Sequence, residues 1–232
     1  MMAYFSCGVG DFIAIESFLT DKEKSGISGF FLATRAARTI EKLIRLHPVW
    51  KNLSVIIPFT EKEIFEFKTY AFFDINHFNR LTEMYPAVLR NALDYSGDVV
   101  YSQILKKERA FTKSLFDVAP LFCDIVIDAE SHADDRLVKK GRNLTKKNVS
   151  DIKKRNRGKK IIEAGIKKTS LYNALAYVRG CKEFYGVDSM LASWAARQAG
   201  IKKIVVKSVN PIYIKWLPIY DPYKKITIIK SF

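Results

Sequence analysis

The sequence contains few of the residues that build metal centres or disulfide networks. Only three of the 232 residues are histidines and three are cysteines, and no HxH or HExxH pattern occurs. Cys7, Cys123 and Cys181 lie far apart and form no metal-binding spacing. We therefore expect no metal site. We also expect free thiols, which fit the reducing environment of a cytoplasm.

Sequence patterns that define several other classes of protein are also absent. No apolar run approaches the roughly 20 residues of a membrane-spanning helix, and residues 1–11 lack the basic and apolar regions of a signal peptide. The chain has no GxxxxGK(S/T) loop, which argues against a P-loop kinase. It also has no DxD pair of spaced carboxylates, since Asp134 and Asp135 are adjacent.

Acidic residues are scarce relative to basic ones. The chain has 39 Lys and Arg against 24 Asp and Glu, a formal net charge of +15, and residues 136–168 hold fourteen of the basic residues with only two acids. A positive field of this size attracts polyanions such as nucleic acid, anionic lipid or a nucleoside diphosphate. A solvated basic surface without a particular partner is the alternative. The residues predicted to bind nucleic acid are Lys139, Lys140, Lys146, Lys147, Lys153, Lys154 and Arg155.

Short apolar segments alternate with segments of helical periodicity along both halves of the chain. Helices are expected to begin near Phe12, Arg35, Thr145, Ser170 and Ser189. Strands are predicted at residues 3–6, 29–33, 53–59, 124–129, 159–164, 183–185, 203–207 and 225–229.

This alternation predicts an α/β fold with parallel sheets. We expect two small Rossmann-like lobes with a cleft between them, formed by residues 1–120 and 121–232, with a single fused sheet as the alternative. The last helix or strand is a candidate to pack back on the first lobe.

Each half contains a glycine at a junction between a strand and a helix. Gly8 and Gly10 precede Asp11 in the first half, and Gly186 precedes Asp188 and Ser189 in the second. Glycine lets a ligand approach the backbone closely, and the first turn of a helix offers N–H groups that suit a phosphate. Because Asp and Ser are also common helix N-caps, an ordinary capped turn is the alternative.

The second half resembles a known family in residues 165–211. Gly165-Ile-Lys-Lys-Thr-Ser-Leu171, a helix, Gly186-Val-Asp-Ser189, Ala195-Ala196, Gly200 and Val209-Asn-Pro211 are similar to the donor-binding signature of ADP-heptose-type (family 9) glycosyltransferases. The N-terminal Gly8-Val-Gly-Asp-Phe-Ile13 resembles the family's G-D turn. Composition and compact length suggest a phage member of this group.

The resemblance implies a GT-B-like fold and a role for each matching residue. It implies an N-terminal acceptor-binding lobe, a C-terminal nucleotide-sugar-binding lobe, and Asp11 as the base that accepts the proton of the acceptor hydroxyl. The residues expected to bind the donor are Gly8, Gly10, Arg142, Thr169, Ser170, Gly186, Asp188 and Ser189. Helix capping is the alternative role for Asp11, Thr169 and Ser170.

The resemblance predicts a nucleotide-sugar-dependent glycosyltransferase that is inverting and metal-independent and needs no cofactor beyond its sugar donor. We expect the acceptor to be a hydroxy- or hydroxymethyl-pyrimidine of phage DNA, because the basic segment exceeds what one sugar diphosphate requires. A heptosyl-type transferase acting on the lipopolysaccharide core is one alternative. A non-catalytic nucleic-acid-binding protein on a transferase fold is the other.

Overall fold

The protein is represented by a computed structural model, which describes residues 2–5, 8–17, 19, 21–32, 34–57, 116–130, 141–165, 168–209 and 223–230. The chain forms two compact units, residues 1–117 and residues 118–232. The predicted α/β class is confirmed, because strands and helices alternate in both units and every strand pair within the described residues is parallel.

The described residues of the first unit form a three-stranded parallel sheet in the order β1-β2-β3. In the β1–β2 pair Met2 lies opposite Gly29, and in the β2–β3 pair Gly29 lies opposite Ser54. Its described elements are β1 (Met2–Phe5), α1 (Val9–Glu16), α2 (Asp21–Gly26), β2 (Gly29–Leu32), α3 (Ala37–Arg45) and β3 (Ser54–Ile56).

Aromatic side chains form much of the described core of the first unit. The ring of Phe12 in α1 lies 5.2 Å from Phe5 of β1 and 6.0 Å from both Phe30 of β2 and Trp50, measured between ring centroids. Phe116 completes the group at 6.3 Å from Phe12. Edge-to-face and tilted packing of this kind adds to the stability gained by burying the rings, and it fixes α1 against the sheet.

A buried polar group lies beside these rings. The ammonium of Lys24 donates to Glu16 at 2.8 Å, and both side chains are buried. The ring of His47 stacks on Trp50 at 3.9 Å, and its Nε2 lies 3.4 Å from the same Glu16 carboxylate oxygen. These contacts tie the end of α1 to α2 and to the segment that follows α3.

The second unit contains a five-stranded sheet in the order β5-β4-β6-β7-β8. Its strands are rich in Ile and Val, which suits parallel strands that are covered on both faces. Its described elements are β4 (Ile125–Asp128), α4 (Lys146–Arg155), β5 (Ile161–Glu163), α5 (Leu171–Gly180), β6 (Glu183–Val187), α6 (Met190–Ala196), β7 (Lys203–Lys207) and β8 (Ile226–Ile229).

The strand order places a topological switch point between β4 and β6. From β4, the chain passes through α4 to β5, which lies at one lateral edge of the sheet. The following connections, through α5 to β6 and through α6 to β7, run toward the opposite lateral edge. Right-handed crossovers that run in opposite directions place their helices on opposite faces. Ile152 of α4 accordingly packs with Ile125, Ile127 and Val187 on one face. In open α/β sheets, the crevice at the carboxyl edge of a switch point is where ligands bind.

Several predicted boundaries need correction. Helix α1 begins at Val9 rather than near Phe12, so Gly10 and Asp11 belong to its first turn and not to a preceding loop. Gly186 lies inside β6, which continues to Val187, instead of forming the turn after the strand. The six-residue helix α2 was not predicted, because its polar sequence Asp21–Gly26 has no apolar periodicity.

Candidate functional site

The carboxyl edge of the sheet in the second unit carries a group of polar side chains. Asp128 ends β4, Asp188 and Ser189 follow β6, and Ser208 follows β7. Parallel strands bring these positions to one edge, and β4 and β6 are direct neighbours there, with Asp128 paired opposite Gly186. The sequence-predicted Asp188 and Ser189 therefore lie beside a carboxylate that sequence reasoning did not nominate.

Arg142 and Asp188 are brought together although they are 46 residues apart. The Nε of Arg142 donates to Asp188 Oδ1, and its Nη2 donates to the Asp188 backbone carbonyl. The hydroxyl of Ser208 donates to Asp188 Oδ2 at 2.7 Å. Burial raises the pKa of Asp188, and the Arg142 charge and the hydrogen bond from Ser208 act against that rise. Both side chains of the ion pair are buried, so this guanidinium is engaged inside the protein.

Lys207 binds the segment before α4 to the carboxyl edge of the sheet through two hydrogen bonds. Its ammonium donates to the backbone carbonyls of Gly141 at 2.5 Å and Asn143 at 3.0 Å. The side chain is buried, which lowers the pKa of Lys207. Together with Arg142, it holds residues 141–144 against the ends of β6 and β7, immediately before the cap of α4.

Asp128 and Ser189 meet across the switch point. The Ser189 hydroxyl and Asp128 Oδ2 are hydrogen-bonded at 2.5 Å, and Ser189 Oγ also accepts the N–H of Ala192 at 3.3 Å as the N-cap of α6. Asp128 is 2% exposed. Burial raises the pKa of Asp128 to about 7, against the opposing effect of its hydrogen bond from Ser189. A buried carboxyl group with a raised pKa at the carboxyl edge of a sheet is a candidate functional group.

Two glycines, Gly186 and Gly165, lie close to Asp128, but a side chain would clash at only one of them. A Cβ on Gly186 would lie 2.8 Å from the ring of Phe184 and 3.0 Å from the carbonyl oxygen of Asp128, closer than side chains tolerate. A Cβ on Gly165 would lie 3.7 Å from Asp128 Oδ1, which is an ordinary contact distance. The need for glycine at Gly186 therefore comes from packing within the sheet.

The predicted donor-binding residues before α5 act locally in the structure. Ser170 is the N-cap of α5 and its hydroxyl accepts the N–H of Asn173 at 3.2 Å. The Thr169 hydroxyl donates to the carbonyl of Gly165 at 3.3 Å. The capping role that was the alternative for Ser170 is thus present. It does not conflict with ligand binding, because Ser170 is exposed.

The predicted catalytic turn is described only in part. Gly8 is exposed, and its carbonyl accepts the N–H of Phe12 at 3.1 Å. Asp11 lies at the third position of α1, and its side chain is outside the described part of the structure. The role of Asp11 as a base and the roles of Gly8 and Gly10 in donor binding remain predictions.

Five of the seven predicted nucleic-acid-binding residues lie in α4, namely Lys146, Lys147, Lys153, Lys154 and Arg155. This helix is capped by Thr145, whose hydroxyl accepts the N–H of Asn148 at 3.1 Å, as the sequence predicted. Lys153 forms an ion pair with Glu163. Lys139 and Lys140 lie outside the described residues. Of the predicted residues in this helix, Lys146, Lys147, Lys154 and Arg155 are exposed and have no ion-pair partner among the described residues.

Two further features bear on the class of site. Within the described ranges, no three His, Cys, Asp or Glu side chains are grouped closely enough to hold a metal ion. No helix in that part of the chain has the length and apolar character needed to cross a membrane.

Comparison with known proteins gives one distant structural neighbour to report. No family model matches the chain, and no curated protein matches it. The structure is similar to that of the E. coli heptosyltransferase WaaC with ADP, with 10% sequence identity, a TM-score of 0.46, and coverage of 91% of this chain and 89% of that chain. Similarity at this level does not establish a common family or reaction.

Proposed function

We propose that the protein is a nucleotide-sugar-dependent glycosyltransferase whose second unit binds the donor and whose first unit binds the acceptor. The observation that carries the proposal is the polar edge at the switch point between β4 and β6. There the G-V-D-S segment predicted to bind the donor lies next to Asp128, and the Gly165–Leu171 segment begins at the end of the neighbouring β5. A nucleotide at this edge would follow the general rule for parallel α/β sheets.

In the proposed reaction, Asp11 takes the proton of the acceptor hydroxyl, and the hydroxyl oxygen attacks the anomeric carbon of the sugar. The bond from that carbon to the diphosphate oxygen breaks, and the electron pair leaves with the nucleoside diphosphate. The hydroxyls of Ser189, Ser170 and Thr169 are the proposed hydrogen-bond donors to that leaving group, and Thr169 would first have to release the carbonyl of Gly165. The reaction as written inverts the anomeric centre and uses no metal ion.

The geometry changes the role that we propose for Arg142. Its guanidinium is buried against Asp188, so direct contact with the diphosphate would require breaking a buried ion pair. We propose instead that Arg142 holds Asp188, and through it the start of α6, in place. Exposed cations of the second unit are then the candidates for the diphosphate charge, such as Lys168, whose ion pair with Glu163 lies on the surface and costs little to break.

We propose a hydroxylated pyrimidine in DNA as the acceptor. The net charge of +15 and the exposed cations of α4, which form no ion pair within the described ranges apart from Lys153, support it, because a phosphate track needs several lysines or arginines on one surface. Chemistry on a base within a duplex would require that base to leave the stack. A sugar of the lipopolysaccharide core is the competing acceptor, since it is also anionic.

The test is to incubate the protein with ADP-, GDP- and UDP-sugars and either duplex DNA containing hydroxymethylated pyrimidines, unmodified duplex or truncated lipopolysaccharide. Nucleoside diphosphate release and the acceptor mass are measured. The proposal predicts release coupled to a sugar mass increase on the modified DNA. A mass increase on lipopolysaccharide alone would show that the acceptor is a sugar of the lipopolysaccharide core. DNA binding without release of nucleoside diphosphate would indicate a non-catalytic binding protein.

Asp11→Asn should abolish turnover while leaving donor binding intact, because it removes the base but keeps the shape of the side chain. Asp21→Asn is the matched control, since Asp21 is an exposed aspartate at the first position of α2 in the same unit. Unchanged turnover in Asp11→Asn would remove Asp11 as the base.

A further inference from the structure

The hydroxyl of Ser189 can donate only one hydrogen bond, and Asp128 decides where that bond goes. A serine hydroxyl has one proton and two acceptor lone pairs. One lone pair of Ser189 Oγ already accepts the N–H of Ala192. With Asp128 ionised, the Ser189 proton must point to Asp128 Oδ2, because a carboxylate cannot donate.

Protonation of Asp128 reverses this hydrogen bond. The carboxyl O–H then donates to the second lone pair of Ser189 Oγ at the same 2.5 Å separation. The Ser189 proton is released from Asp128 and can be given to another acceptor at the sheet edge. Ser189 is partly exposed, whereas Asp128 is buried, so an arriving ligand meets the hydroxyl and not the carboxyl.

We infer that Asp128 is a positioning residue whose protonation turns the Ser189 hydroxyl toward an anionic oxygen of the ligand, so that binding of a nucleotide-sugar diphosphate is coupled to the uptake of one proton. The inference rests on the proposed donor site. It adds that Asp128 must be protonated when the donor is bound. It also requires no movement of the backbone, because only the hydroxyl proton changes its direction while the Ser189 Oγ and Asp128 Oδ2 atoms stay in contact.

The groups around Asp128 fit a proton exchange near neutral pH. Burial raises the pKa of Asp128 to about 7. The neighbouring carboxylate of Glu130 raises it further, while the Ser189 hydroxyl, the backbone N–H of Glu130 and the more distant Arg142 charge lower it. A diphosphate placed beside Ser189 would add negative charge, which favours the protonated form again.

The test measures the affinity of the full-length protein for nucleotide sugars between about pH 6 and about pH 8, with proton uptake measured by calorimetry in buffers of different ionisation enthalpy. Nucleotide sugars are suitable probes because their diphosphate is a diester whose charge stays constant over this range. The wild-type protein should bind more weakly above pH 7, by up to about tenfold per pH unit, and should take up a proton on binding.

Asp128→Asn is the decisive variant. Its amide N–H donates to Ser189 Oγ permanently, as the protonated carboxyl would, so affinity should stay at the level of low pH and no proton should be taken up. Asp124→Asn is the matched control, because Asp124 directly precedes the same strand and is paired with Lys182 on the surface. It should retain the pH dependence of the wild-type protein.

Ser189→Ala tests whether the pH dependence arises from the Ser189 hydroxyl or from direct charge repulsion between ionised Asp128 and the ligand. If the hydroxyl is the coupling element, this variant should bind weakly at every pH and lose most of the pH dependence. Full pH dependence in Ser189→Ala, or pH-independent wild-type binding without proton uptake, would overturn the inference and leave the proposed donor site standing. Absence of binding by any nucleotide sugar at any pH would instead overturn the donor site, and the inference with it.

Discussion

The guanidinium of Arg142 and the carboxylate of Asp188 form a buried ion pair that joins the segment before α4 to the end of β6. Arg142 is 1% exposed and Asp188 is fully buried, and Arg142 also donates to the backbone carbonyl of Asp188. The pair therefore fixes both the side chain and the backbone of the residue that precedes the cap of α6.

Removing either partner should destabilise the second unit strongly. Arg142→Met leaves the buried carboxylate of Asp188 without its counter-ion. Asp188→Asn likewise leaves the buried guanidinium of Arg142 without one. Each should lower the free energy of unfolding by about 3 kcal/mol in urea titrations. Lys182→Gln breaks a surface pair with Asp124 and serves as the control, with no measurable loss expected. Equal stability of the buried and surface variants would show that the buried pair is not structural.

Gly186→Ala should destabilise the protein through a direct clash. Its Cβ would lie 2.8 Å from two ring carbons of Phe184, and the buried ring has little space to move. We expect a loss of about 2 kcal/mol in the free energy of unfolding. Gly200→Ala is the control, since a Cβ there meets nothing within 4 Å. A loss in Gly200→Ala as large as in Gly186→Ala would contradict the steric explanation.

Asp128→Asn should change how stability depends on pH. Folded Asp128 keeps its proton to about pH 7, whereas an unfolded aspartate loses it near about pH 4, so the folded state binds more protons between these values. The stability of the wild-type protein should therefore fall as pH rises through this window and then level off. Asp128→Asn should lack this fall and be more stable by up to about 4 kcal/mol at about pH 8, since each unit of difference in pKa between the folded and unfolded states is worth about 1.4 kcal/mol. Thermal unfolding at several pH values checks this, and a difference that does not vary with pH would contradict it.

The exposed cations of α4 should determine DNA binding and its salt dependence. Lys147 and Lys154 lie seven residues apart on the outer side of the helix, and neither has an ion-pair partner in the described part of the chain. The double change Lys147→Gln with Lys154→Gln should reduce the slope of log affinity against log salt by about 2.

A double change of Lys159→Gln with Lys182→Gln removes the same total charge from side chains already paired with Glu183 and Asp124. It should reduce the salt slope much less. The same reduction in both double variants would show that net charge, rather than the surface of α4, attracts the nucleic acid.

Local patterns in the sequence were sufficient to predict much of the fold. Strand β7 occupies the predicted residues Lys203–Lys207, and Thr145, Ser170 and Ser189 cap the helices that were expected to follow them. Apolar runs and capping residues act over a few positions, so a single sequence is enough to read them.

Contacts between distant segments could not be predicted in the same way. Arg142 carries no local sign that it pairs with Asp188, and it was instead expected to contact the donor. Asp128 was recognised only as part of a strand. Its carboxylate faces Ser189, which follows it by 61 residues, because β4 and β6 are neighbours in the sheet. A polar residue at the end of an apolar strand was the available signal, but strand order decides which partner it meets.

Hydrogen–deuterium exchange of the full chain with and without nucleotide sugar tests the central claim most directly, that the edge between β4 and β6 binds the donor. The account predicts slower amide exchange at residues 128–130 and 186–192 when the bound sugar nucleotide covers them. Unchanged exchange in both segments under saturating donor, or protection confined to other parts of the chain, would contradict it.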